Sequence, residues 1–162
     1  KTIDIFYVKN YRENTYNCIY RKKLYDKLNL INKSNKYNLF NENCSKEDFY
    51  NNLLKSKIMI SVWGIGESLV DDYFCLMNDI IVLRVDTSHV KDFYGLYEKD
   101  NIFYFFNLDF SNLEERIDYI LNNYEKCYKL YNKKREQIYN KFTPIYHVDV
   151  LSNKIKNSFN KK

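Results

Sequence analysis

Two clusters in the middle of the chain have residue types and spacing suited to holding a ligand. The first is Gly64, Ile65, Gly66 and Glu67, in the run "SVWGIGE". The chain has only three glycines, and two of them flank Ile65 directly after an apolar stretch. Glycine reaches backbone angles closed to other residues, so such a turn exposes N–H groups where a helix begins, and an anion is favoured there. Glu67, in the first helical turn, can accept hydrogen bonds from sugar hydroxyls. By itself a GxG pair reads first as a tight turn, and Glu67 as a helix starter favoured by the helix dipole. The second cluster is Arg84, Asp86, Ser88 and His89 in "VLRVDTSH". Arginine offers a planar fork of donors that matches a diphosphate, and Ser88 and His89 can donate further. Histidine is the residue type that titrates near neutral pH, which makes His89 the best candidate for moving a proton. No residue stands out as a general base.

These clusters need a scaffold, and the hydrophobic pattern describes one. Runs rich in β-formers at residues 2–8, 57–62, 80–85 and 102–106 read as strands, with "YNLFNE" as a further short candidate. Between them lie helical patterns. Ile19, Leu24, Leu28 and Ile31 recur at helical spacing within a stretch from about Tyr11. Ser45 caps "KEDFYNNLLKS", with acidic residues in its first turn. Glu67 to Met77 forms the helix after the glycines. Ser111 with Glu114 makes a capping box, and Pro144 suits the first position of a last helix. Strand and helix alternate almost without a break, which implies a parallel sheet with helices on both faces. Ligands of such sheets bind at the carboxyl ends of the strands. Both clusters follow strands, so both fall on that rim.

Bulk composition bounds the rest. A chain of 162 residues fits one domain spanning 1–162, and 45% hydrophobic residues support a core. No segment approaches the ~20 apolar residues of a membrane span. The first residue is Lys1 and no signal-peptide pattern follows, so a targeting segment can lie outside this stretch. Cys18, Cys44, Cys75 and Cys127 are widely spaced, with no CxxC pair. That pattern suits buried thiols in a reducing, cytoplasmic compartment better than a metal site. Tyr, Asn and Lys are the residues that AT-rich codons favour, which argues against reading each tyrosine as a stacking platform. Residues 121–162 carry ten Lys/Arg against three Asp/Glu. Such a segment can attract polyanions, but apolar residues at helical spacing (Ile120, Tyr124, Cys127, Leu130, Tyr131) favour a solvated helix packed back on the domain.

Residues 57–118 resemble the C-terminal, donor-binding domain of GT-B glycosyltransferases of the group-one and exostosin-like kind. The resemblance rests on "SVWGIGE", "DDYFC", "VLRVDTSH" and "LDFSNLEE", in the family's order and at its spacing. It implies a Rossmann-like three-layer αβα sandwich that holds a nucleotide-diphosphate sugar against a separate acceptor-binding domain. It implies no other cofactor and no metal. Carried over by position, Gly64, Ile65, Gly66 and Glu67 would lie near the sugar and phosphates, with Arg84, Asp86, Ser88 and His89 across the rim. Asp109 to Leu113 would cap and pack the next helix. One departure concerns the ribose. In the family a second glutamate follows the first by seven residues and holds it; here that position is Phe74, and Asp71, one turn earlier, is the possible substitute. Asp79 stands where the family has a glycine.

Three functional classes are therefore in play. The first is the donor-binding half of a glycosyltransferase. The second is a non-catalytic module of the same fold, with Phe74 marking a lost ribose site. The third is a nucleic-acid binder using the basic segment, for which the chain has no recognition motif. A flavodoxin-like or receiver domain fits the alternation but lacks the flavin loop and the acidic pocket.

Overall fold

The structure is a computed structural model that describes residues 1–8, 16–62, 70–89 and 102–139. In chain order the elements are β1 (Ile3–Phe6), α1 (Tyr16–Ile31), β2 (Leu39–Phe40), α2 (Lys46–Leu54) and β3 (Ser56–Ser61). There follow α3 (Val70–Met77), β4 (Ile81–Val85), β5 (Tyr104–Phe106), α4 (Leu113–Asn122) and α5 (Tyr124–Tyr139). The five strands form one parallel sheet in the order β2-β1-β3-β4-β5. All four strands expected from the β-rich runs are present and parallel, and "YNLFNE" supplies β2 at the edge.

This is a Rossmann-like α/β fold, and its topology follows from the burial of both sheet faces. Every residue of β4 is buried, and β3 is buried at all positions but Lys57, as expected when helices cover both sides. The chain moves from β1 outward to β2, then from β3 the other way to β4. Right-handed crossovers therefore put α1 on one face and α2 and α3 on the other. Contacts agree with this layering. The Tyr20 ring of α1 lies tilted against Phe110, just before α4, with centroids 4.9 Å apart, and its hydroxyl donates to the Leu108 carbonyl at 2.9 Å. On the opposite side Phe74 of α3 meets Tyr50 of α2 at 4.7 Å, and the Tyr139 hydroxyl of α5 reaches the Met77 sulfur.

Several local expectations hold and others change. Ser45 caps α2, its side chain accepting from the Asp48 N–H at 3.1 Å. Ser111 does not cap α4. The N-cap is Asn112, with no side-chain cap bond, because its amide oxygen instead accepts from the Asn107 N–H at 2.7 Å. The Ser111 hydroxyl accepts from the Asn107 amide at 2.9 Å, so these side chains brace the turn after β5 rather than the helix. Ile19 of α1 and Leu130 of α5 face solvent despite their apolar spacing. Cys127, Tyr131 and Ile138 of α5 are buried, so the first half of the basic segment packs back on the domain. Pro144 and the helix expected after it lie outside the described residues. Cys18, Cys75 and Cys127 are buried, whereas Cys44 is half-buried. Among the described residues no helix is long and apolar enough to cross a membrane.

Asp79 takes φ 59°, a left-handed conformation that glycine adopts freely and Asp tolerates better than most residues. The Ile80 N–H returns to the Cys75 carbonyl and closes α3, while the Asp79 carboxylate accepts from the Arg135 guanidinium. The Asp79 side chain is thus tied to α5.

Candidate functional site

Residues 84 to 89 run off the carboxyl end of β4 and their side chains go to two places. Arg84 lies opposite Ser61 in the β3–β4 register, so both side chains point to the face covered by α3. Asp72, in the first turn of α3, comes down onto them. The Arg84 Nη1 donates to the Asp72 carboxylate and, at 2.9 Å, to the Ser61 hydroxyl, which itself donates to Asp72. The Arg84 Nε donates to the Thr87 hydroxyl at 2.9 Å. All four residues are almost or wholly inaccessible to solvent. The guanidinium expected to present a fork to a diphosphate thus bonds to groups inside the protein, between sheet and helix.

Asp86, Ser88 and His89 turn the other way. They line an open cleft of about 580 Å³ at the carboxyl edge, together with Asn107, Leu108 and Asp109 from the turn after β5. Asp86 and His89 are exposed and Ser88 is half-buried. Each carboxylate is set by its own turn: Asp86 accepts from the Ser88 N–H at 2.9 Å, and Asp109 from the Ser111 N–H at 3.0 Å. Bonds from the Ser111 backbone N–H and hydroxyl hold the Asp109 carboxyl below its ordinary range. The cleft therefore offers two fixed carboxylates, a hydroxyl, an amide and an imidazole, a set suited to polar, hydroxyl-bearing ligands. A larger groove of about 670 Å³ continues past Leu108 and Asp109 to the outer side of α1, where Leu30 and Phe110 make it more apolar.

A third, smaller feature lies where the chain leaves the sheet in opposite directions. Between the carboxyl ends of β1 and β3 is a crevice of about 90 Å³, lined by Tyr7, Val8, Ser61, Val62, Arg21 and Asp71 among others. Doubly wound sheets bind ligands at this switch point. Burial raises the Asp71 carboxyl above its ordinary range, and the Arg21 charge opposes that rise.

The structure thus brings Asp86, Ser88 and His89 together, places Arg84 inside, and sets Asp71 in the crevice. Phe74 packs its ring on Tyr50 and against the core. Gly64, Ile65, Gly66 and Glu67 lie outside the described residues. Asn107, Asp109 and Arg21 were missed as site residues. Asn107 was findable, because a polar residue directly after the last parallel strand must sit on the same rim as those after the others. Arg21 was not, since only the packing of α1 sets its height above β1. No family model matches the chain, and no curated protein matches it.

Proposed function

We infer that this domain binds a nucleotide-diphosphate sugar at the carboxyl edge of its sheet, as the donor-binding half of a glycosyltransferase. The observation that supports this most is the cleft itself. Three residues that the resemblance assigns to the donor loop, Asp86, Ser88 and His89, line one open cavity with Asn107 and Asp109. Carboxylates already fixed by backbone N–H groups are good acceptors for sugar hydroxyls, because little ordering remains to be done on binding. The acceptor would sit on a second domain, and the leaving diphosphate would be stabilised by backbone N–H groups and cations.

Titration of the chain with a panel of nucleotide-diphosphate sugars, followed by NMR, tests the reading. Binding is expected at high micromolar to millimolar concentration, roughly −4 to −6 kcal/mol, with the Ser88 and His89 resonances shifting. Silence of both resonances across the panel at millimolar concentration would sink it. The alternative is a non-catalytic module of the same fold, and a specific observation favours it. Arg84 and Phe74, two positions the resemblance gives to the donor, serve the packing of α3 instead.

A further inference from the structure

The groove between α1 and the turn from β5 into α4 differs in chemistry from the cleft it adjoins. Its volume, about 670 Å³, is that of a small-molecule pocket. Its floor is aromatic: the Tyr20 and Phe110 rings meet there, and the Tyr20 hydroxyl is engaged by the Leu108 carbonyl at 2.9 Å. Leu30 on α1 and Leu108 in the turn line the same groove, yet they remain 64% and 54% exposed. A single exposed leucine is ordinary, but two on one cavity leave a contiguous apolar surface in water.

The wall opposite α1 is built rather than loose. Phe110 has φ 64°, a left-handed conformation that bulky residues rarely enter. Its N–H bonds to the Asn107 carbonyl at 3.0 Å, and Asn107 is itself held by Asn112 and Ser111. Such conformations cluster at ligand-binding segments. Charge comes from α1. Lys23 and Lys27, one helical turn apart, line the groove, and neither ammonium group bonds or ion-pairs with another described residue. Their stems add apolar surface while their heads stay at the rim. Asp26 shares that rim, leaving two ammonium groups to one carboxylate on the α1 side. Across from them, the Asp109 carboxylate already accepts from the Ser111 N–H at 3.0 Å.

We propose that this groove binds an anionic amphiphile, with an aliphatic body on Leu30, Leu108 and the Tyr20–Phe110 rings and a carboxylate on Lys23 and Lys27. A neutral apolar ligand would leave both ammonium groups without a partner, and a wholly polar one would leave both leucines in water. The site goes beyond the nucleotide-sugar reading and does not rest on it, since Ser88, His89 and Asn107 line the cleft and not the groove.

NMR titration of the chain with octanoate, octan-1-ol and acetate tests the site. Octanoate is expected to shift the amide resonances of Lys27, Leu30, Leu108 and Phe110 along one isotherm, to bind about five-fold tighter than octan-1-ol, and to outlast acetate, which lacks the aliphatic body. The double variant Lys23→Gln with Lys27→Gln should remove that five-fold preference while leaving octan-1-ol unchanged. Leu108→Ser and Leu30→Ser, both at exposed side chains, should each weaken octanoate and octan-1-ol alike, by up to about ten-fold. Equal binding of octanoate and octan-1-ol by the wild type overturns the proposal, as does silence of Leu30 and Leu108 at millimolar octanoate. Shifts at Ser88 without shifts at Leu30 would put the acid in the cleft and overturn it too. So would shifts of Leu30 and Leu108 with protein concentration alone, accompanied by a dimer in sedimentation, because a second copy would then cover the groove.

Discussion

The buried cluster around Arg84 and the open cleft around Ser88 share one stretch of six residues, 84 to 89, yet they have opposite character. In the cluster, Arg84, Asp72, Ser61 and Thr87 are sealed between sheet and α3, and their hydrogen bonds run to one another. In the cleft, Asp86, Ser88 and His89 face an open cavity, and the Asp86 carboxylate is fixed by the backbone N–H two residues on. Thr87 is buried between exposed Asp86 and half-buried Ser88, so the division falls residue by residue. A polar side chain on the carboxyl edge of a parallel sheet is therefore not a ligand contact by virtue of its place in the sequence. Asp86 still bonds across to β5 through its backbone and is exposed, while Thr87, one residue further, is buried, so the division is set by what packs over each side chain.

Stability measurements should separate the regions, and the cluster should give the largest effect. Asp72→Ala leaves the Arg84 charge buried without its carboxylate and is expected to cost about 3–5 kcal/mol in urea unfolding. The double change Asp72→Leu with Arg84→Met should recover much of that, because it removes both charges from the interior. A cost below about 1 kcal/mol for Asp72→Ala would break the comparison.

Thr87→Val comes next. It keeps the shape but strands the Arg84 Nε, and a loss of about 1–3 kcal/mol is expected. Its neighbours Asp86→Asn and Ser88→Ala should stay within about 0.5 kcal/mol of the wild type, while weakening any ligand of the cleft. Equal costs at 86, 87 and 88 would show that the alternation has no energetic meaning. Phe74→Glu restores the glutamate of the resembling family but takes a ring off Tyr50. It should destabilise by about 1–2 kcal/mol, a fraction of the full burial value for a half-buried ring, and NMR titration should show no tighter nucleotide-sugar binding.

The smallest effects are in titration. Asp71 in the crevice and Asp109 in the cleft should move to opposite sides of the ordinary value of 3.8. Burial raises Asp71, so its folded form prefers the proton; its contribution to stability is present at low pH and is lost as pH rises through the folded value. Bonds from Ser111 lower Asp109, so its contribution is present above the ordinary value and lost as pH falls through the folded one. Carboxyl carbon shifts followed by NMR against pH measure both. Finding Asp71 below Asp109 would contradict the contrast drawn between crevice and cleft, and Ser111→Ala should raise Asp109 alone.

The strands, their parallel sense and the main helices were legible in the sequence. Continuous apolar runs such as "IIVL" and "KIMIS" need cover on both faces, and only crossover helices supply it. Ser45 at the start of α2 was equally legible, because a cap depends on residues three apart. The capping box at Ser111 misled, since Asn107 competes for the same side chains, and that competition depends on where β5 ends. The cleft was half legible: Asp86, Ser88 and His89 form one loop, but the turn after β5 that completes the wall lies some twenty residues on. Arg84 shows the limit most clearly. Residue type and rim position suited a phosphate, and nothing within reach along the chain pointed to Asp72, twelve residues earlier on another element. Local sequence determined which segments became strands and helices, because periodicity and capping act over a few residues. Which polar groups meet was decided only by sheet register and helix packing, because charges and hydrogen bonds respond to distance in space and not along the chain.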